Sequence, residues 1–165
     1  MSTSKVAPVN LGIDAQKQKQ IAEKLSGFLA DSYTLYLTTH NFHWNVTGVM
    51  FNTLHDMFME QYTELWQAID EIAERIRILG FEAPGSYQAF SKLSSLPDAP
   101  VNAPAAMEMV RLLLSGHEAL AASARKLVDL AADAGDESTA DLATGRLSLH
   151  EETAWKLRSL LQGED

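Results

Sequence analysis

Apolar residues recur at helical spacing through most of the chain, and breakers divide the pattern into four long segments and one short one. Asp14 is a fair N-cap for a first helix running to about Asn45, with Ile21, Leu25, Phe28, Leu29, Ser32, Leu35, Thr39 and Phe42 on its inner face. Thr47-Gly48 interrupts it. A second helix follows from Phe51, with Phe51, Leu54, Phe58, Leu65, Ile69, Ile72, Ile76 and Leu79 as its apolar stripe and Gly80 as a C′ glycine. Pro84-Gly85 opens a connection that predicts a short helix over Ser86 to Lys92, then a loop from Ser94 to Pro104 punctuated by three prolines. A third long helix is expected from Ala105 to Ala134, tolerating Gly116 and stopped by Gly135, and a fourth from about Glu137 to Leu161. No strand candidate exceeds a few residues. The pattern therefore predicts an all-α four-helix bundle, with the short extra helix in a long crossover between helices two and three. Residues 1 to 13 read as a flexible polar N-terminal tail, which leaves residues 14 to 165 as a single domain.

At 165 residues the chain can bury a core without disulfides or a structural metal, and its 46% hydrophobic content is that of a globular protein. It has no cysteine, which rules out a disulfide scaffold and thiolate metal sites and is compatible with a reducing, cytoplasmic setting. The opening MSTSKVAPVNLG has no apolar signal-peptide region, and no apolar run reaches the roughly 18 residues of a membrane span. Neither secretion nor a membrane is indicated. The net charge of −9 suits a protein that collects cations and argues against broad attraction to nucleic-acid phosphates.

The chemistry concentrates around the second helix. His43 and His55 flank Gly48, twelve residues apart; Asp70 follows fifteen residues after His55, and Glu74 one helical turn later. Two imidazoles and two carboxylates suit a borderline metal such as Fe²⁺ or Zn²⁺. On one helix, however, His55 and Asp70 are about 22 Å apart. A second copy lying antiparallel about a two-fold axis near Tyr62 would bring Asp70 and Glu74 of one chain to His55 of the other. This predicts a metal site shared between identical subunits and made twice per dimer. The alternative for each histidine is a core or capping role at adjoining helix ends. Asp70 and Glu74 are like charges at i,i+4, a pairing that costs a few tenths of a kcal/mol unless something positive lies between them. Arg75 is the natural partner of Glu71, and Arg77 reaches only Glu74, so a metal, or an arginine from a partner subunit, would resolve the conflict. No E-x-x-H sequence occurs, which argues against the usual di-iron site inside one bundle. Asp56, Glu60 and Glu64 form a second anionic stripe, and Asp133, Asp136, Glu137 and Asp141 surround the turn before the last helix. A solvated face and an exposed turn are the simplest readings of these two. His117 and His150 have no ligand-spaced partner and read as ordinary.

The stretch from Thr39 to Gly80 resembles the central signature of the Dps family. The matched features are HWNVTG at His43 to Gly48, the histidine twelve residues on, and DEIAER at Asp70 to Arg75. The resemblance implies a ferritin-like mini-cage, a homo-oligomer of twelve subunits built from two-fold dimers. Such a cage oxidises Fe²⁺, preferentially with hydrogen peroxide, mineralises Fe³⁺ inside and protects against oxidative stress. It puts His43, His55, Asp70 and Glu74 in register with the family's ferroxidase centre, with iron as the metal and Zn²⁺ as a surrogate. It further implies that Asp56, Glu60 and Glu64 nucleate mineral on the inner surface, and that Asp133, Asp136, Glu137 and Asp141 line three-fold pores. Trp44, mainly a packing residue, would quench oxidising equivalents, and His40 would serve as an outer-shell or alternative ligand. One position departs. The family usually has Asp or Glu four residues after the second histidine, where this chain has Met59, a soft and neutral thioether. An attenuated ferroxidase follows, the alternative being a structural or DNA-compacting cage with a vestigial metal site. Members that condense DNA often carry several lysines in an N-terminal arm; residues 1 to 13 here hold only Lys5, so DNA binding is expected to be weak or absent.

Overall fold

Each helix starts and stops where local chemistry provides for its unpaired backbone groups. The computed structural model describes residues 4–6 and 8–162. Asp14 accepts from the amides of Gln16 and Lys17 and caps α1, Ala15–Asn45. Helix α2, Phe51–Ile78, begins without a side-chain cap and ends at Gly80, whose φ of 87° is the left-handed conformation that favours glycine. Ser86 is the cap of the short α3, Tyr87–Leu93, so that helix sits one residue later than the sequence pattern suggests. Helix α4, Ala106–Ala134, runs into left-handed Gly135, and Asp136 caps α5, Glu137–Leu161.

The short turns force antiparallel pairs, α1 on α2 and α4 on α5, and these two hairpins pack chiefly through α1 against α4. Phe28, Phe42 and Phe58 are among the fully buried side chains of the shared core. Gly116 lies inside α4 because α1 passes close by: a Cβ there would stand 2.6 Å from Leu35 Cδ1. The crossover is fastened to α1 by Asp31, a buried carboxylate that accepts from the backbone amides of Ser95 and Leu96 and the hydroxyls of Ser94 and Ser95. By contrast, α2 and α5 meet thinly, leaving a groove of about 710 Å³ whose lining includes Glu64, Glu74, Asp141 and Arg146. Ser4 to Val6, read from sequence as part of a free tail, lie against the end of α2. Lys5 pairs with Phe81 in an isolated antiparallel bridge, flanked by Val6 N–H to Gly80 O at 2.9 Å and Glu82 N–H to Ser4 O at 3.0 Å.

Candidate metal centre

The turn at Thr47-Gly48 folds α2 back onto α1 and brings His43 and His55 together. Their rings stack at 3.8 Å with planes 21° apart. His43 Nδ1 lies 2.8 Å from the carbonyl oxygen of His55, and His55 Nδ1 lies 2.9 Å from that of His43. A carbonyl oxygen only accepts, so each Nδ1 carries the proton and donates. In the neutral ring each Nε2 then presents a bare lone pair, the atom a metal needs. The reciprocal bonds also fix both ring orientations, as the outer partners of metal-binding histidines do. Phe51 stacks on His55 at 5.0 Å and Tyr62 meets His43 edge-on at 5.2 Å, holding the pair from both sides.

Asp70 and Glu74 lie farther along α2, exposed and one turn apart. Among the described residues of one chain, no three His, Asp or Glu side chains converge on a point where a cation could sit. One subunit thus has an imidazole pair at one end of α2 and a carboxylate pair at the other. The flanking arginines turn elsewhere. Arg75 donates from Nη2 to Asp136 at 2.6 Å and from Nε to Thr139 Oγ1 at 2.8 Å, rather than to Glu71. Arg77 donates to the Phe81 carbonyl at 3.1 Å, rather than reaching Glu74.

Met59, where a fifth ligand would stand, is 43% exposed on the same helix. His40 stacks on Tyr62 at 4.1 Å, and burial, then the His43 charge, push its pKa down. Trp44 does not pack inside: it is 60% exposed, its ring 4.1 Å from that of His40.

The outlying acidic residues divide. Asp56 and Glu60 are exposed, but Glu64 is bound by both Nη atoms of Arg146, so the stripe expected to nucleate mineral loses a free carboxylate. Asp133, Glu137 and Asp141 are exposed around the α4–α5 turn. Asp136 is a correction to the pore reading. It is 2% exposed, accepts from the Thr139 amide at 3.0 Å, and takes the Arg75 ion pair, so its carboxylate joins α2 to α5 instead of facing a channel.

His117 and His150, which have no ligand-spaced partner in sequence, meet each other across α4 and α5. Their Nδ1 atoms are 2.9 Å apart in the core, and Arg146 Nη2 lies 3.2 Å from His150 Nε2. Burial, followed by the Arg146 charge, pushes the His117 pKa down to about 3; burial, His117 and Arg146 push His150 down as well. Register was the missed signal. On antiparallel helices joined at Gly135, residues 18 and 15 positions from the turn lie at similar heights, so two that both point inward can meet.

The ferritin-like domain family model matches residues 22–164. An uncharacterized low temperature-induced protein of Nostoc is 39% identical over 157 residues, covering 94% of this chain and 88% of that protein. DNA protection during starvation protein 2 of Bacillus anthracis is 37% identical over 143 residues, covering 87% and 97%. The crystal structure of a Dps protein from Vibrio cholerae, described as a member of a broad superfamily of ferritin-like diiron-carboxylate proteins, superposes with a TM-score of 0.89 at 29% identity. It covers 96% of this chain and all of that one.

Proposed function

The chain belongs to the Dps family of ferritin-like proteins, and from that premise we propose that it is a cytoplasmic, twelve-subunit mini-ferritin that oxidises Fe²⁺ and stores it as ferric mineral. The observation that carries the reading is the reciprocal bonding of His43 and His55, which leaves two Nε2 lone pairs bare where no third His, Asp or Glu among the described residues converges on them. Asp70 and Glu74 of a two-fold mate complete the site, supplying the negative charge that Fe²⁺ and then Fe³⁺ require. Their own mutual repulsion, with Arg75 and Arg77 engaged elsewhere, favours a shared cation between them.

Iron is the substrate. Hydrogen peroxide is the oxidant of the proposal: two Fe²⁺ each give one electron, the O–O bond breaks, and with two waters the products are two FeOOH and four protons. Taking both electrons at one site avoids release of hydroxyl radical. Asp133, Glu137 and Asp141 draw cations toward the entry, and Asp56 and Glu60 hold ferric ions at the inner surface. Duplex DNA binds weakly or not at all, because −9 per subunit opposes phosphate contact and Lys5 is the sole lysine of residues 1 to 13.

Stopped-flow oxidation of Fe²⁺ with peroxide and with O₂, on protein shown by light scattering to be a closed cage, tests this reading. A rate well above that of iron in buffer is expected. A monomer, or a rate equal to buffer, sinks it. The exposed Met59 favours a second reading, a structural cage with a weakened site, for which the cage would form and the rate would stay at the buffer level. Gel-shift assays at physiological salt check the DNA expectation; salt-sensitive binding at micromolar protein contradicts it.

A further inference from the structure

The bundle centre holds polar groups that the metal chemistry does not use. His117 on α4 and His150 on α5 are 2% and 0% exposed, and Arg146, also buried, sits beside them with Glu64 of α2. Their proton positions follow from the donors. A guanidinium only donates, so His150 Nε2 accepts from Arg146 and is bare. His150 therefore carries its proton on Nδ1 and donates to His117 Nδ1. That leaves His117 protonated on Nε2, a buried N–H with no partner among the described residues. The reverse tautomers would set an imidazole N–H against the Arg146 N–H.

A second orphan lies on α1. Ser26, Thr34, Thr38 and Thr39 all donate to the carbonyl one turn back, at 2.7 to 2.9 Å. Ser32, fully buried on the same helix, has no partner. Its position is bracketed by one contact to His150 and one to the residue that precedes His117 on α4. Phe28, one turn earlier, meets the His150 ring edge-on at 6.2 Å, and Leu35, one turn later, packs against Gly116 beside His117.

We propose that one internal water binds between His117 Nε2 and Ser32 Oγ, and that this locked polar core excludes metal ions from the bundle centre. The water accepts from the imidazole N–H and donates to Ser32 Oγ. Leaving the N–H unpaired would forfeit its hydration with nothing in return. A neutral ligand fits because an ion without a counter-charge is far more expensive to bury. Metal exclusion follows from the same proton positions. His117 Nε2 has no lone pair, the remaining imidazole lone pairs are engaged, and the Arg146 guanidinium repels a cation. Other four-helix bundles put their di-metal sites in this central space; here it is closed.

Neutron diffraction from crystals of the whole assembly grown in D₂O provides the test. Deuterium is expected on His117 Nε2 and His150 Nδ1, with a water oxygen within about 3.2 Å of both His117 Nε2 and Ser32 Oγ. Opposite tautomers, or no water there, overturn the assignment. In Zn²⁺-soaked crystals no anomalous peak is expected at His117 or His150, and a peak there refutes exclusion. Ser32→Ala should keep the His117–His150 bond and lose the water; a fully occupied water in that variant removes Ser32 from the site.

Discussion

His43 and His55 join α1 to α2, and His117 and His150 join α4 to α5; each pair brings two imidazoles together across an antiparallel hairpin. What separates them is the group that receives the Nδ1 proton. In the first pair both protons go to backbone carbonyls, so two Nε2 lone pairs remain free. In the second, one imidazole serves the other, Arg146 takes the remaining acceptor, and the outer atom of His117 is a donor. Surroundings complete the difference: the first pair lies near the surface beside exposed Met59 and Trp44, the second in the core. Under the proposed function, the same residue type serves as a metal ligand in one place and as a metal-excluding lock in the other, according to its hydrogen-bond partner.

Acid should act most strongly on the core pair. The folded pKa of His117 is lowered to about 3, so between the unfolded value near 6.5 and that point only the unfolded chain takes up the proton. The stability tied to the neutral ring is fully present above about pH 6.5 and is lost as pH falls toward 3. The slope is about 1.4 kcal/mol per pH unit, or about 3 kcal/mol between pH 6.5 and 4.5, and His150 adds in the same direction. Melting temperatures at pH 7 and 4.5 check this: His117→Phe/His150→Leu should lose much less on acidification than the natural chain, and an equal loss would remove the pair from the account. At the other pair, His55→Ala should slow Fe²⁺ oxidation about 100-fold, some 2.7 kcal/mol in barrier, with only a modest fall in melting temperature from the lost His43 carbonyl bond and Phe51 stacking. Kinetics insensitive to that substitution would break the comparison on the metal side.

Arg146→Met tests the lock without touching the site. It strips Glu64 and His150 of their donor and should cost about 2 kcal/mol, discounted because Glu64 is partly exposed, with no change in the oxidation rate. A matching fall in oxidation would mean that the two regions are coupled. The smallest effect is expected at Met59. Met59→Asp restores a hard anionic ligand one turn from His55 and should tighten metal binding and quicken oxidation about 10-fold, near 1.4 kcal/mol. No change in affinity or rate would place position 59 outside the metal's reach.

Periodicity and caps determined the five helices, their boundaries to within a residue or two, and the antiparallel hairpins, because these depend on local sequence and a single buried face. The His43–His55 pairing was legible for the same reason: both residues lie six positions from Val49 at a tight turn. So was the separation of His55 from Asp70 within one chain, since helix rise alone sets it. Tertiary structure decided the rest. Whether Asp136 faced a channel or Arg75, whether Glu64 stayed free or met Arg146, and which atom of each histidine held its proton all depend on side chains from helices distant in sequence. Charge and spacing along the chain name the candidates. Only the packing of α2 against α5, and of α4 against both α1 and α5, determines which polar atoms are satisfied inside the subunit and which remain free for a partner.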